Sequence, residues 1–566
     1  MYNLTELGES ISTEVLVLGG GIAGCFAAIK AREAGLDVTL VDKGYVGRGG
    51  ESHQMSGVLT CFDPEQDNYD AWFRECVEAS QWVADQHRLD GMIYETRERI
   101  RDLENWGATF QKENGKFIRR AGVGHYYARN VVMTRGGFQL MSAVRGEVIR
   151  QGVHLIQRVM VTDLLTSDGE LPTGGKVVGA IGFDLVRGKF YVFKAKTVII
   201  TTGSTRAIAP RLTMPNLSGD GKGMAFRAGC EMRNVELALA SLNAVGFNCA
   251  SGENILVGEG AFFVNARGER FMQKWDPQRV DRAPRAVLTL AMAIEEKEGR
   301  GPIYLDATQL SESAYYRIEK AIPIVVGSFD AGGVSLRENR IPYTPAIHDH
   351  GPGGIRVDKH DATTLSGLFA AGAASDHAES GASNVIGHGM LSAIGGYRAG
   401  VAASRYASGS NEPQLNRAQV ERLKKLALAP MERKSLFSHG EVRWELKERL
   451  WGDGLLGPLR TESKLKKAIG IIEEAKAEKL PGISARDYHE LARVLGLANE
   501  LLYVELLARC ALLRTESRGS HYREDYPQRD DVNWLKWVIA KTDGKKIAVW
   551  AERIPFDEYP LKPQIS

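Results

Sequence analysis

The sequence predicts an α/β fold whose amino end is a Rossmann-like dinucleotide-binding domain. A short apolar run, Val15–Leu18, leads into the glycine turn Gly19–Gly24, which reads GGGIAG. An alanine-rich helical pattern follows the turn, and a second apolar run ends at Asp42. A strand, a glycine turn, a helix and a second strand, with an acid about 20 residues past the glycines, form the dinucleotide-binding fingerprint.

Each part of this fingerprint has a physical role. Gly19 permits the tight turn, Gly21 lets the backbone approach a pyrophosphate, and Gly24 lets the helix pack closely on the strand. The amino terminus of the helix then faces the phosphates with unpaired N–H groups and the positive end of its dipole. Asp42 can accept hydrogen bonds from a pair of ribose hydroxyls. This pattern alone does not separate FAD from NAD.

Length and composition set bounds on the class of protein. The chain has 566 residues, 43% hydrophobic and 25% charged, with a net charge of +2. This length allows several domains and a large core, and the charge gives no reason to expect nucleic acid or an anionic membrane as the partner. No apolar run is long enough to cross a bilayer, and the segment MYNLTELGESIST lacks the features of a signal peptide. We expect a cytoplasmic protein that meets membranes only through a partner.

The chain contains six cysteines, at positions 25, 61, 76, 230, 249 and 510. None of them forms a CxxC pair, and none clusters with histidines at metal-ligand spacing. We interpret them as small buried hydrophobic residues. The chain is therefore expected to have no iron–sulfur ligand set of its own.

The first part of the dinucleotide-binding domain is predicted to cover residues 1–240. It contains an amphipathic helical stretch over Asp70–Trp106 and a later strand over Lys196–Thr202 that runs into a glycine. Residues 218–221 read SGDG and precede a helical run, which predicts a loop and a helix N-cap.

Three further segments are predicted downstream. Residues 241–345 mix strand and helix patterns without a glycine motif, and we interpret them as an inserted domain. Strand and turn signals return over residues 346–408, which we assign to the second part of the dinucleotide-binding domain. Residues 409–566 change to charged helical patterns and end in a short β-rich tail at 546–563. Within them Ser484–Asp487 resembles a capping box that opens a helix.

The order of several motifs resembles one enzyme family. Besides the glycine turn, these motifs are SGDG at 218–221, GEG at 258–260, GERF at 268–271, APR at 283–285, EGRG at 298–301, GGI at 353–355, GLFAAG at 367–372 and ESRGSHYREDYPQRDD at 516–531. Over nearly its whole length the chain resembles the flavoprotein subunits of the succinate dehydrogenase/fumarate reductase superfamily, which includes L-aspartate oxidase and the α subunit of adenylylsulfate reductase. The resemblance implies a Rossmann-like FAD-binding domain, an inserted α+β capping domain over the flavin and a C-terminal helical domain.

The resemblance also implies FAD as the cofactor. The positions predicted to contact it are Gly19, Gly21, Ile22, Ala23, Gly24, Asp42, Lys43, Gly50, Ser52, Gly57, Thr202, Gly203, Asp220, Gly372, Met390 and Leu391. The family places a helix amino terminus, at residues 386–391 here, against the N1/O2 edge of the flavin, where its dipole stabilises the anionic reduced form. Some members attach FAD through a histidine in a Ser-His pair. His53 comes later than that spacing requires, so we expect non-covalent FAD.

The family's carboxylate clamp lacks several of its side chains in this chain. Arg285 occupies the position of the family's proton-shuttling arginine, but Ala286 replaces the aspartate that usually follows it. Ser241 stands at the position of a histidine, Ala373 stands at that of a glutamate, and SGASN at 380–384 replaces His-Gly-Ala-Asn-Arg. Each charge-assisted hydrogen bond that is lost is worth about 1.5–3 kcal/mol. We therefore expect a small polar substrate other than succinate or fumarate.

A small set of side chains is predicted to carry the chemistry. Arg285 is the first candidate for proton transfer or substrate anchoring, and the alternative is a structural salt bridge. Because arginine is a weak acid, a shuttle role needs a neighbouring carboxylate, which Glu259 could supply unless it only packs the capping domain. One of His348 and His350 is expected to line the site, unless both cap or flank a turn. His388 could place positive charge at the flavin or touch substrate, or it is a satisfied histidine at a helix start.

The C-terminal motif contributes a last group of candidates. This motif contains Arg518, His521 and Arg523. The resemblance implies that one of its two arginines, Arg518 or Arg523, lies near the substrate or the capping-domain interface. The alternative is a solvated or inter-domain salt bridge. The sequence does not choose between these roles.

The leading hypothesis is an FAD-dependent oxidoreductase that exchanges electrons with a separate iron–sulfur subunit, since the chain has no cluster cysteines. Three alternatives stay open: an adenylylsulfate-reductase-like α subunit, a soluble flavin oxidase like L-aspartate oxidase, and a non-catalytic flavin electron-relay subunit. No second glycine fingerprint with its own acid is present, so direct use of NAD(P)H is not expected. The substrate, the direction of reaction and the oligomeric state are not set by the sequence.

Overall fold

The computed structural model describes residues 7–55, 57–124, 127–206, 216–247, 252–348, 353–379 and 385–564. The strands, numbered in chain order, are β1 (Glu9–Leu18), β2 (Val38–Asp42), β3 (Val58–Thr60), β4 (Lys112–Glu113), β5 (Lys116–Phe117), β6 (Arg119–Arg120), β7 (Asn130–Val132), β8 (His154–Gln157), β9 (Val159–Thr166), β10 (Val177–Asp184), β11 (Phe190–Ile200), β12 (Met232–Arg233), β13 (Leu239–Ala244), β14 (Phe262–Val264), β15 (Ile303–Asp306), β16 (Ile341–His348), β17 (Gly354–Ile355), β18 (Leu368–Ala370), β19 (Leu459–Arg460), β20 (Tyr522–Arg523), β21 (Lys536–Thr542) and β22 (Ile547–Arg553). The α-helices are α1 (Ile22–Glu33), α2 (Tyr69–Ala79), α3 (Gln86–Leu89), α4 (Met92–Asn105), α5 (Gly136–Arg150), α6 (Asp220–Arg227), α7 (Glu253–Gly258), α8 (Met272–Trp275), α9 (Arg285–Lys297), α10 (Glu312–Ala321), α11 (Pro323–Ala331), α12 (His388–Ser408), α13 (Arg417–Glu432), α14 (His439–Lys447), α15 (Glu462–Glu474) and α16 (Tyr488–Leu513).

The central sheet carries the dinucleotide-binding topology. Its strands lie in the order β8-β2-β1-β11-β10-β9, and β18 also pairs with β11. The strands β8, β2, β1, β11 and β18 run parallel, whereas β9 and β10 are antiparallel. Val15–Leu18 is almost fully buried, as expected for a strand covered on both faces. The predicted α/β class is confirmed.

Two helices pack on one another beside this sheet through small residues. A Cβ on Gly396 of α12 would overlap the backbone of Ala23, and one on Gly400 would overlap the backbone of Ala27 in α1. Side chains at these glycines would push the helices apart, because buried helices tolerate little extra volume. The close contact fixes the amino ends of α1 and α12 relative to each other.

A second sheet, in the order β13-β16-β15-β14, is antiparallel and forms the inserted unit with α7–α11. Its core includes Leu242, Phe263, Met292 and Phe329. The predicted segment 241–345 begins inside β13 and ends inside β16, because the strand ends carry no turn residues to mark the boundary. The domain limits themselves stay predictions.

The C-terminal region contains α13–α16, and α16 is buried along most of its length. The tail is longer than predicted: β21 and β22 form a hairpin that pairs with β12 and so joins a four-stranded sheet with β17. The tail is thus tied to the FAD-side domain rather than free. Across the described ranges, no helix is long and apolar enough to cross a membrane.

Two local predictions differ from the structure. The single helical stretch predicted over 70–106 is divided into α2, α3 and α4, because Gln81 and Trp82 have φ values of +52° and +71°, and Asp85 caps α3 through the N–H of Arg88. α16 is capped by Asp487, whose side chain accepts the N–H of Glu490. The capping residue is therefore Asp487 and not Ser484, the first residue of the predicted box.

Candidate active site

A cavity of about 840 Å³ opens at the carboxyl ends of β1 and β2. Its walls come from the glycine turn, the loops that follow β2 and β11, the start of α6, and residues of α12, α14 and α16. Ligand sites in open α/β sheets lie at this edge of the sheet, and the volume suits a small-molecule cofactor. The cavity is therefore the candidate cofactor site.

The glycine turn has the shape that a pyrophosphate needs. Gly19 has a φ of +106°, and a Cβ there would overlap the backbone of Thr201. A Cβ on Gly24 would overlap the carbonyl oxygen of Gly19. α1 begins after Gly21, which has no side chain to cap it, and the N–H of Ile22 donates to the Ser52 hydroxyl at 3.1 Å; the positive end of the helix dipole faces the cavity. The residues present fit the pyrophosphate of FAD.

The acid at the end of β2 holds the turn in place. The Asp42 carboxylate accepts the N–H of Gly20 and the N–H of Gly44, each at 2.6 Å. The neighbouring Lys43 donates to Asp220 at 2.7 Å. Asp42 and Lys43 therefore connect the turn, the loop after β2 and the start of α6 around the cavity.

Most of the predicted cofactor positions line this cavity. They are Gly19, Gly21, Ile22, Ala23, Asp42, Lys43, Gly50, Ser52, Thr202, Gly203, Asp220 and Gly372. Four others do not: Gly24 packs on the turn, Gly57 faces Ala321 of the inserted unit, and Met390 and Leu391 are buried in the core at the start of α12. Contact with the cofactor stays a prediction at each position.

The C-terminal helices form a wall of the cavity that was not predicted from the sequence. The lining residues of α14 and α16 are His439, Gly440, Arg443, Trp444, Lys447, His489, Ala492, Arg493, Gly496 and Glu500. Positions 439, 443 and 447, and 489, 493, 496 and 500, follow helical spacing and carry several cations. That polar stripe is the signal that could have identified the wall.

The electrostatics of this wall favour an anion. Burial raises the pKa of Glu500 to about 7, opposed by Arg443 at 3.0 Å. Burial and the neighbouring Arg443 lower the pKa of His439 to about 4, so this imidazole is neutral near pH 7. Beside the Arg443–Glu500 pair, Lys447 and Arg493 therefore add positive charge on this side of the cavity.

Arg285 is the first residue of α9 and forms an ion pair with the buried Glu253. The two residues that flank it, Pro284 and Ala286, line a second cavity of about 420 Å³ that also meets α2 and the C-terminal motif. Glu259 lies elsewhere in the network, 2.7 Å from Arg317 and 3.2 Å from Arg120. The carboxylate in contact with Arg285 is thus Glu253 and not the predicted Glu259.

The structure describes two of the three histidine candidates, His348 and His388. His348 is the last residue of β16, opposite Leu239, and His350 lies outside the described residues, as do residues 380–384. His388 is the first residue of α12, and its Nδ1 lies 3.0 Å from Nδ1 of His377. His377 was not predicted from the sequence, because no motif or spacing marked it.

The C-terminal motif forms a buried ion network. Arg518 donates to Glu516 at 2.7 Å and to Asp531 at 2.8 Å, and Arg523 donates to Asp525 at 2.7 Å. Burial lowers the pKa of His521 well below its usual value, so its ring is neutral. These ion pairs lie within the motif itself, so they do not choose between the substrate-side role and the inter-domain salt bridge, and the roles of Arg518, His521 and Arg523 stay predictions.

The remaining candidates are His53 and the cysteines. His53 lies in a short 3₁₀ turn, and its Nδ1 atom is buried with no hydrogen-bond partner among the described residues. The cysteines at 25, 61, 76, 230 and 510 are buried and free, and the one at 249 lies outside the described residues. No group of histidine, cysteine and acidic side chains suited to a metal ion occurs in the part of the chain that the structure describes.

Comparisons with known proteins agree with this architecture. Residues 14–387 match the family described as FAD binding domain, and residues 445–565 match the family described as fumarate reductase flavoprotein C-term. The chain is 32% identical to one subunit of the fumarate reductase (CoM/CoB) of Methanothermobacter marburgensis, over 92% of this chain and 95% of that protein. The FrdA subunit of E. coli quinol fumarate reductase superposes with a TM-score of 0.88 at 23% identity, over 98% and 99% of the two chains. Mycobacterium smegmatis Sdh1 does so with a TM-score of 0.83 at 26% identity, over 98% and 96%.

Proposed function

The chain belongs to the FAD-binding flavoprotein family of succinate dehydrogenases and fumarate reductases, and we propose that its substrate is a small polar molecule other than succinate or fumarate. It is an FAD-dependent oxidoreductase. When bound, FAD accepts or gives an electron pair at its N5 atom. The glycine turn and the start of α1 would hold its pyrophosphate, and the α14–α16 wall would close the cavity on the other side.

The observation that carries the proposal is the ion pair between Arg285 and Glu253. Glu253 is buried, so its charge is screened little by water and cancels the charge of the arginine nearby. A guanidinium held in this way is not available for a bidentate contact with a substrate carboxylate. Ser241, which is buried in β13, adds no charge. Both features disfavour a dianionic substrate.

We further propose that a separate iron–sulfur protein exchanges electrons with this chain. The five described cysteines are buried singly, and burial raises their thiol pKa values. Thiols in such surroundings are poor cluster ligands, because the ligand is the thiolate. The related protein of M. marburgensis is named as one subunit of its enzyme, which supports the presence of a partner chain.

A second candidate substrate is fumarate. It is favoured by the 32% identity to a protein named fumarate reductase, over 95% of that protein. The two candidates differ in what the Arg285 side chain must do: a fumarate reductase needs its charge exposed to the substrate, whereas the ion pair with Glu253 cancels it.

An anaerobic reoxidation experiment separates the two candidates. The purified protein with its FAD is reduced photochemically without oxygen, and fumarate is then added while the flavin absorbance is followed. We expect no return of the oxidised spectrum with fumarate, but a full return with ferricyanide as the control acceptor. Rapid reoxidation by fumarate would reject the proposed substrate class and support the second candidate.

A further inference from the structure

The α14–α16 wall packs against the end of the cofactor cavity that Asp42 marks. In dinucleotide-binding sheets the pyrophosphate lies at the amino end of the first helix, and the adenosine ribose lies at the acid that ends the second strand. Lys43 follows this acid and donates to Asp220 at 2.7 Å. Asp220 in turn accepts a side-chain N–H of Asn499, in α16, at 3.1 Å. The helical wall therefore borders the adenosine end of the cavity.

The other side of this end is formed by the start of β9 and the loop after β2. The N–H of Arg158, just before β9, donates to the carbonyl of Gly44 at 2.9 Å, and both residues line the cavity with Val159. The start of α16 reaches the same side, since the ring of Tyr488 packs on that of Phe183 in β10 with the centroids 6.1 Å apart. The adenosine end thus lies between the central sheet and the two helices.

Trp444 is the aromatic side chain that α14 contributes to this end. It lines the cavity, yet it is 62% exposed. Nζ of Lys447, one turn later on α14, lies 4.5 Å from the centroid of a Trp444 ring. His439 and His489 add imidazole rings to the wall, and Arg493 adds a guanidinium. The wall therefore combines flat rings with cations.

Adenine is the part of FAD that suits this composition. FAD carries its two ring systems on opposite sides of the pyrophosphate, so the ring system on the side of Asp42 is adenine. A purine presents two π faces that stack on aromatic side chains, and guanidinium planes stack on bases in the same way. Contact with adenine would also remove the exposed indole of Trp444 from water, which is favourable for an apolar surface.

Neither family match assigns a role to this part of the wall. The FAD-binding match ends at residue 387, and the C-terminal match begins at residue 445. α14 begins at His439, so Arg443 and Trp444 lie between the two matched ranges. The role of Trp444 has to be argued from its place in the cavity.

We infer that Trp444 stacks on the adenine of FAD, and that the α14–α16 wall makes this chain select FAD over FMN, which lacks the adenosine half. Trp444 is then a specificity-determining residue at the end of the cofactor that takes no part in electron transfer. Arg443, the residue before it, pairs with the buried Glu500 at 3.0 Å and joins α14 to α16. The inference depends on FAD as the cofactor and not on the proposed substrate.

Binding of ADP, FAD and FMN to the apoprotein tests this inference. ADP carries the pyrophosphate and the adenosine half without the flavin, whereas FMN carries the flavin without adenosine. Isothermal titration calorimetry gives the three affinities for the wild type, W444A and W550A. We expect W444A to bind ADP and FAD about tenfold more weakly, within the range that base stacking supplies, and to bind FMN like the wild type. W550A removes a tryptophan exposed on β22 and should leave all three affinities unchanged.

Two further variants separate stacking from apolar bulk. W444F keeps an aromatic face and should bind ADP within about threefold of the wild type, whereas W444L should bind it as weakly as W444A. If W444A does not refold, the comparison of W444F with W444L decides.

Several results would overturn the inference. Equal ADP affinities of the wild type and W444A would do so, as would an equal loss of FMN affinity in W444A, full recovery of ADP binding by W444L, or no ADP binding by the wild type. Reoxidation of the reduced flavin by fumarate would reject the proposed substrate class yet leave the ADP affinities unchanged, so the two failures are distinguishable.

Discussion

At the scale of single residues, the candidate site is defined by which charges are cancelled and which are left available. Glu253 cancels Arg285, and Asp220 cancels Lys43. The sequence identified Arg285 but not its partner, because Glu253 and Glu259 lie at opposite ends of one short helix, α7. Only the direction of that helix decides which carboxylate meets the guanidinium. A pattern of residue types contains no such information.

Replacing Glu253 tests the charge cancellation directly. In E253Q the Arg285 guanidinium loses its ionic partner, so a dicarboxylate should bind at least tenfold more tightly than to the wild type, since one charge-assisted hydrogen bond is worth about 1.5–3 kcal/mol. Binding is measured from the change in flavin absorbance during titration with succinate. E298Q, at an exposed position beyond the end of α9, is the matched control and should leave succinate binding unchanged. Equal affinity of E253Q and the wild type would contradict the charge cancellation.

The titration of Asp361 is expected to make the free energy of unfolding depend on pH. It lies between β17 and β18 with a φ of +57°, and burial raises its pKa from 3.8 to about 7, opposed by Arg88. A raised carboxyl pKa gives stability that is present below pH 3.8 and is lost as the pH rises through 7. D361N should therefore gain stability relative to the wild type between about pH 4 and 7, by an amount on the order of 4 kcal/mol. Asparagine also tolerates the left-handed backbone.

Melting temperatures recorded across this pH range check the prediction for Asp361. The difference between D361N and the wild type should increase as the pH rises and level off above pH 7. D557N, at an exposed position, should show a constant difference. A difference that stays flat for D361N as well would mean that Asp361 is not protonated in the folded protein.

At the scale of elements, the glycine turn and the two helices packed beside it determine where the cofactor can lie. The sequence predicted β1, α1 and β2 correctly because all the determinants of this unit lie within a single stretch of chain. It did not predict the α14–α16 wall, because those helices reach the cavity only through long-range packing. The stretch over 70–106 is divided at two places: Gly91, with a φ of +77°, precedes α4, but the break after α2 falls at Gln81 and Trp82, whose residue types do not predict a positive φ.

Gly24 is the position where the turn is least tolerant of a side chain. A Cβ there would overlap the carbonyl oxygen of Gly19, so G24A should purify with little or no FAD and melt at a lower temperature. G146A is the matched control, since Gly146 lies in α5 with open space around it. It should keep its FAD and gain about 0.5–1 kcal/mol of stability. Full FAD content in G24A would show that the turn can move and that its close packing is not required.

The cationic wall makes a separate prediction. Arg493 lines the cavity from α16, so R493Q should bind FAD about threefold to tenfold more weakly, and the difference should shrink as salt screens the charge. R509Q changes the same residue type further along α16, where Arg509 pairs with Glu505 and Glu473, and should bind FAD like the wild type. Both affinities are measured by adding FAD to the apoproteins of R493Q and R509Q while the flavin fluorescence is recorded. Identical affinities for the two variants would remove α16 from the cofactor site.

At the scale of the whole molecule, the chain combines a cofactor domain, an inserted unit and a helical region, and the described residues contain no cluster of side chains suited to a metal ion. The order of motifs predicted this architecture and FAD from the sequence, and the family matches confirm both. The substrate side was harder to predict, because Arg285 and its partner Glu253 come from separate segments whose contact depends on the packing of the folded chain. The proposed electron partner is a separate chain, so its identity could not be predicted from this sequence.

The decisive experiment uses the protein purified without oxygen from its native host. Its visible spectrum is recorded before and after acid precipitation, and the chains that copurify are identified. We expect FAD in the supernatant, at about one per chain, together with an iron–sulfur protein. Flavin retained in the pellet would instead point to covalent attachment, with His53 as the first position to examine. Absence of flavin, or flavin that air reoxidises rapidly with no iron–sulfur protein present, would contradict the assignment as an FAD-dependent oxidoreductase with a separate electron partner.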